Sequence, residues 1–193
     1  MAPGRPRAFD IDKALESALR VFWLKGYEGT SMPDLTEAMG INRPSLYAAF
    51  GNKEELFRKA LNRYGDKACY IRTALQQPTA RAVAETMLRD TADALTDPKN
   101  PPGCLAVQGA LSCGENADPI RRELAAMRTE GQQAFRKRFE KAKADGDLPK
   151  DANPADLASY LSTVTQGMAV RAAGGATRKE LQRVAEMALK AWP

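Results

Sequence analysis

Helix-start signals recur along this chain at short intervals, and no segment of it reads as a strand. Asp10, Asn42, Asn52 with Glu55, Asp118-Pro119, Asn153-Pro154 and Thr177 with Glu180 each set a side-chain acceptor at the head of a candidate helix. After Asp10, the residues Ile11, Leu15, Ala18 and Phe22 follow at spacings of four, three and four, which is one face of a helix that Gly26 then ends. Thr30-Ser31 opens a short helix with Pro33 in its first turn, closed by Gly40, and Asn42 opens another from Arg43 to Ala49. Asn52 begins a long helix through Leu56, Leu61 and Tyr64, and Gln77-Pro78 breaks the pattern. Further helices are predicted from Thr79 to the Asp97-Pro98 turn, over Cys104 to Ser112, from Asp118 to about Ala144, from Asn153 to Ala173, and from Thr177 to Trp192. The fold class is therefore all-α, with about nine helices.

Composition narrows the chemistry. Hydrophobic residues make up 44% of the 193 positions, enough for a core. There is no histidine, so the commonest general base and the commonest metal ligand are both missing. The three cysteines, Cys69, Cys104 and Cys113, form no CxxC pair, which argues against structural zinc and against a disulfide framework. No metal, no cofactor and no enzymatic activity are expected. The longest charge-free stretches, 100–114 and 157–170, are too short and too polar to cross a bilayer, and the arginines of MAPGRPRAFD have no apolar run behind them. A cytoplasmic location without membrane attachment is the expectation. The net charge of +5 is modest evidence for nucleic acid, but residues 1–8, expected to be a flexible basic arm, carry Arg5 and Arg7 and no acid.

The informative stretch is 30–56, TSMPDLTEAMGINRPSLYAAFGNKEEL. Two short helices joined by a glycine-containing turn make a helix-turn-helix, whose second helix enters a major groove. With Leu46, Ala49 and Phe50 inward, helical geometry points Pro44 and Ala48 outward, flanked by Ser45 and Tyr47. An outward face of this kind is suited to base edges and phosphates rather than to water.

The spacing of Thr30, Leu35, Gly40, Ile41, Leu46, Tyr47, Phe50 and Lys53, closed by Glu54-Glu55-Leu56, resembles the TetR family of bacterial transcriptional repressors. Phe22 and Gly26-Tyr27 fit the end of that family's first helix, while Thr36 and Met39 stand where small alanines are usual. The resemblance implies a three-helix DNA-binding domain over 9–52, followed by a helical ligand-binding and dimerisation domain over 53–193. It implies a homodimeric repressor that leaves a double-stranded operator when a small-molecule effector binds. At the matching positions, Thr30 and Ser31 head a helix that can hold a phosphate, and Tyr47 and Lys53 correspond to backbone-contacting positions. Arg43 and Ser45 can reach base edges, Pro44 and Ala48 can meet thymine methyls, and Arg5 and Arg7 can enter a minor groove.

Beyond Leu56 the match is one of layout alone. Apolar facing selects Met87, Cys104, Gln108, Met127 and Phe135 as candidates for an effector pocket without a charged subsite. The stripe Leu157, Leu161, Val164 and Met168, with Leu181, Val184 and Ala188 on the last helix, could be buried within one subunit; the resemblance implies instead that two such helices from each subunit pack as an intersubunit four-helix bundle. Two other classes compete: a helical thiol peroxidase or redox protein using Cys104 or Cys113, and a helical scaffold that never touches DNA. Both cysteines are better read as inert core residues, because nothing basic lies between them to activate a thiol.

Overall fold

The computed structural model describes residues 9–111 and 117–193. Arg5, Arg7 and Cys113 lie outside the described residues. The described chain holds ten helices: α1 (Ile11–Lys25), α2 (Met32–Met39), α3 (Arg43–Phe50), α4 (Lys53–Lys67), α5 (Cys69–Leu75), α6 (Ala80–Leu95), α7 (Leu105–Leu111), α8 (Asp118–Ala144), α9 (Pro154–Ala173) and α10 (Arg178–Lys190).

Most of the expected caps are made. Asp10 accepts from the N–H groups of Asp12 and Lys13, Asn42 from Ser45, and Asn153 from Ala155. Asn52 with Glu55 and Thr177 with Glu180 form reciprocal capping boxes. Asp118 differs. It lies inside the first turn of α8, where its carboxylate pairs with Arg121 and Arg122 instead of capping. Gly40 turns the chain from α2 to α3 at φ 64°, ψ 30°, a left-handed conformation that is costly for a residue with a Cβ.

One expected helix is two. The segment from Asn52 to Gln77 breaks at Ala68, whose ψ of 37° ends α4, and α5 turns away to pack on α6. Gly65 weakens the last turn of α4, its carbonyl accepting the Ala68 N–H at 3.1 Å, and the turn that follows presents Tyr70 and Ile71 to the body of the protein.

Two apolar clusters organise the fold. The first joins α1 to α4 around Phe22, Phe50 and Phe57, with Leu19, Leu35, Leu46 and Leu56 fully buried among them. Phe22 meets Phe57 edge-on at a centroid separation of 5.0 Å. Leu105 and Ala106 of α7, and Ile120 and Leu124 of α8, complete this cluster from the other side. The second cluster packs α6, α8, α9 and α10 around Phe135, Phe139 and Trp192.

The second cluster takes up part of the expected intersubunit face. Leu161, Met168, Leu181 and Ala188 are buried within the single chain, and Leu157, Val164 and Val184 pack against the same cluster. An apolar stripe marks a buried face without saying whether the covering surface belongs to the same chain. Here α6 and α8 cover it.

Polar contacts bind the two clusters into one body. The Trp23 indole N–H donates to the Gly103 carbonyl at 3.2 Å, Arg20 donates to the Lys99 carbonyl at 2.6 Å, and Arg58 on α4 pairs with Glu123 on α8 at 2.6 Å. Within the reading block, Lys25 at the end of α1 pairs with Asp34 in the first turn of α2 at 2.7 Å. That ammonium, and then the N–H and hydroxyl of Ser31, hold the Asp34 carboxyl at about 2 against an ordinary 3.8. A carboxyl depressed on folding contributes stability that is present above its unfolded value, near 4, and is lost as pH falls through about 2. Lys25→Met should raise the Asp34 value toward the ordinary one in a carboxyl NMR titration and start acid unfolding at a higher pH. An unchanged titration would remove the ion pair from the account.

Candidate nucleic-acid interface and the cavity behind it

α3 presents its two faces as helical geometry requires. Leu46 and Phe50 are buried in the first cluster, while Arg43, Pro44, Tyr47 and Ala48 are exposed and Ser45 is half-buried. Tyr47 leaves 47% of its surface accessible, which is unusual for a large aromatic side chain that has a core beside it. Arg43 lies at the first turn, and no ion pair engages it among the described residues. It shares a shallow groove between α2 and α3 with Pro33, Thr36, Glu37, Ile41 and Asn42. Glu37, an exposed carboxylate on that groove, is not among the residues that the sequence pattern singles out. A carboxylate can nevertheless accept from the amino group of cytosine.

The expected phosphate positions are less uniform. Thr30 is 1% exposed, and its hydroxyl donates to the Gly26 carbonyl at 2.6 Å, closing the end of α1. It holds the turn and does not face solvent, because a free carbonyl at a buried helix end draws in the nearest hydroxyl. Ser31 is exposed, but it caps α2: its oxygen accepts from the Asp34 N–H at 3.2 Å, and Asp34 accepts the Ser31 N–H at 2.9 Å. Lys53 is half-buried with its ammonium over the Tyr27 ring, 4.5 Å from the centroid, and burial pushes its pKa down.

Behind this block, residues of α4 to α9 enclose a cavity of about 130 Å³. Met87, Cys104, Met127 and Phe135 line it as expected. Gln108 is not among the lining residues. Its amide lies against Gly103, where an added Cβ would come within 2.5 Å of Oε1. Tyr64, Tyr70, Thr91 and Arg128 also line the cavity and were missed. Tyr70 could not be placed without knowing the break at Ala68. Thr91 was hidden because one hydroxyl in an apolar stripe is an ordinary sequence feature.

The Tyr64 hydroxyl donates to Cys104 Sγ at 3.0 Å, and the Arg128 guanidinium donates to the Ala106 carbonyl. Burial raises the pKa values of both Tyr64 and Tyr70, so both phenols stay neutral. Tyr64 also meets Trp23 edge-on at 4.7 Å, so one cavity-lining ring touches the first helix of the reading block. No group of cysteines, aspartates and glutamates able to hold a metal ion occurs among the described residues, and no described helix is long and apolar enough to cross a membrane.

Known proteins agree with this geometry. The family model described as "Bacterial regulatory proteins, tetR family" matches residues 14–60, and the model "Tetracyclin repressor-like, C-terminal domain" matches residues 81–188. The chain is 32% identical to the HTH-type transcriptional repressor ComR of Escherichia coli K12, covering 98% of this chain and 92% of that one. It is 31% identical to the repressor BdcR of the same organism, covering 96% and 90%. Among solved structures, a cysteine-substituted form of the TetR family regulator CifR, complexed with 26-bp double-strand operator DNA, superposes with a TM-score of 0.93 at 46% identity, over 98% of this chain and 100% of that one. The two family models fall on the helix-turn-helix block and on the helical body behind it. The chain belongs to the TetR family of bacterial regulatory proteins and is a helix-turn-helix transcriptional regulator.

Proposed function

We propose that this regulator acts in the cytoplasm as a homodimeric repressor, released from a two-fold operator when a small molecule enters the α4–α9 cavity. Residues 9–52 read the DNA and residues 53–193 bind the effector and dimerise, with Arg5 and Arg7 of the preceding arm assigned to the adjacent minor groove. The observation that carries the reading is the exposed row Arg43, Pro44, Tyr47 and Ala48 on a helix whose other face is locked by Leu46 and Phe50. The repressor sign follows ComR and BdcR, and the operator follows the DNA complex of CifR. A thiol peroxidase is not favoured, since the relatives are named as transcriptional regulators.

In this reading Arg43 contacts a guanine, Ser45 donates to a neighbouring base edge, Pro44 and Ala48 meet thymine methyls, and Ser31, Tyr47 and Lys53 contact phosphates. Two such helices must lie about 34–36 Å apart to enter successive major grooves. An effector that favours a different separation releases the DNA in proportion to its differential affinity for the two states. Tyr64 supplies the mechanical link, because it lines the cavity and packs on Trp23.

For the dimer, the opposite faces of α9 and α10 replace the buried stripe. Val170 is 49% exposed and Met187 62% exposed, and a Cβ built on Gly167 meets nothing within 4 Å. These residues give two helices an apolar surface on which a second copy can pack closely. Val170→Glu combined with Met187→Glu should sediment as a monomer with native helical content and weakened operator binding. Leu161→Ala should instead cost about 2–5 kcal/mol of stability. A double glutamate variant that still sediments as a dimer would place the interface elsewhere.

DNA reading is tested by binding to operator and scrambled duplexes across a salt series. Arg43→Ala should flatten preference at one base pair per half-site, a loss of about 1–3 kcal/mol of discrimination. Tyr47→Phe should weaken both duplexes alike, and Lys53→Ala should also lower the salt slope by roughly one unit per half-site. If Arg43→Ala weakens both duplexes equally and keeps base preference, Arg43 is a phosphate contact and the base-reading assignment fails.

A further inference from the structure

Five threonines in or at the ends of these helices return their hydroxyls to the backbone. Thr36, Thr73, Thr96, Thr163 and Thr165 each donate to the carbonyl four residues earlier, at 3.1, 3.2, 2.7, 2.9 and 3.0 Å. Thr91 does not. It is 3% exposed on α6, its Oγ1 has no hydrogen-bond partner among the described residues, and it lies in the cavity wall with Met87, Leu95 and Phe135. A buried hydroxyl left without a partner is destabilising, whereas valine would fill the same volume without that cost. The oxygen itself is covered, and an unpaired hydroxyl on a side chain in the wall of a mostly apolar cavity points to something that enters the cavity and pairs with it as the side chain turns.

The other groups around the cavity restrict what that is. Both tyrosine hydroxyls are neutral, and that of Tyr64 is already engaged with Cys104. The one charged lining residue, Arg128, has its guanidinium on the Ala106 carbonyl, and no acid lines the cavity. The volume of about 130 Å³ suits six or seven heavy atoms, since an apolar cavity of about 150 Å³ holds benzene. We propose that the cavity takes a small uncharged molecule with an apolar frame and one hydrogen-bonding oxygen, and that Thr91 recognises that oxygen. The proposal rests on the effector-release reading for its consequence at the operator, but not for its chemistry.

The test uses the full chain and three probes of similar frame: phenol, toluene and benzoate. Calorimetric titration should show phenol binding about tenfold more tightly than toluene, the factor a net hydrogen bond supplies, with benzoate weakest. Thr91→Val should abolish the preference for phenol, keep toluene binding and raise the melting temperature. Thr91→Ser, which retains the hydroxyl, should keep the preference. Absence of phenol binding at millimolar concentration would overturn the assigned ligand class, as would tighter binding of benzoate. A preference for phenol that survives Thr91→Val would overturn the role of Thr91. Operator binding, followed by fluorescence anisotropy with and without phenol, separates this proposal from the reading beneath it. Thr91-dependent phenol binding that leaves operator affinity unchanged supports the ligand assignment and removes effector release.

Discussion

The hydrogen bond from the Trp23 indole to the Gly103 carbonyl is where the reading block meets the helical body. Both groups are buried, so each would lack a partner if the two parts separated. A net hydrogen bond contributes only about 1 kcal/mol, but a buried donor left unsatisfied costs about 1–3 kcal/mol. The acceptor's position is equally constrained. Gly103 adopts φ 88°, and an added Cβ would press on the Gln108 amide at 2.5 Å, so only glycine turns the chain here without displacing its neighbours. Tyr64 packs against the same indole and reaches Cys104 with its hydroxyl, so Gly103 and the cavity-lining Tyr64 both meet one side chain of α1.

In the proposed release mechanism, this junction is what links a ligand in the cavity to DNA about a domain away. The helix-turn-helix is itself stiff: its core is closed by phenylalanines and leucines, its ends by Ser31, Asn42 and Asn52 caps, and α1 is tied to α2 by Lys25 and Asp34. A stiff block moves as a unit. Under the proposed release, the part free to change is its seat on α4, α7 and α8, where Arg58–Glu123 and Trp23–Gly103 lie, rather than the arrangement of Arg43 and Tyr47 within it.

Much of this was legible in the sequence because it is local. Asp10, Asn42, Asn52 with Glu55, and Thr177 with Glu180 act within three residues of themselves, and the structure makes each of those caps. The faces of α3 followed from the 100° step of a helix. What was not legible depends on partners far along the chain. The break at Ala68 goes with the packing of α5 on α6, and Leu161, Met168, Leu181 and Ala188 of the stripe on α9 and α10 are buried within the chain beside α6 and α8. Thr30 belongs to a third kind: its hydroxyl had two destinations, a phosphate outside or the Gly26 carbonyl inside, and burial decided for the carbonyl.

The claim on which the account turns is that the Trp23 junction couples cavity to operator, and a linkage measurement addresses it directly. Operator affinity would be measured with and without saturating phenol in the native chain and in Trp23→Phe, which keeps the ring contact with Tyr64 and loses the N–H. The native chain should lose operator affinity on adding phenol. Trp23→Phe should bind the operator and phenol separately, with the ratio of the two operator affinities falling toward one. A ratio in Trp23→Phe equal to the native ratio would contradict the account.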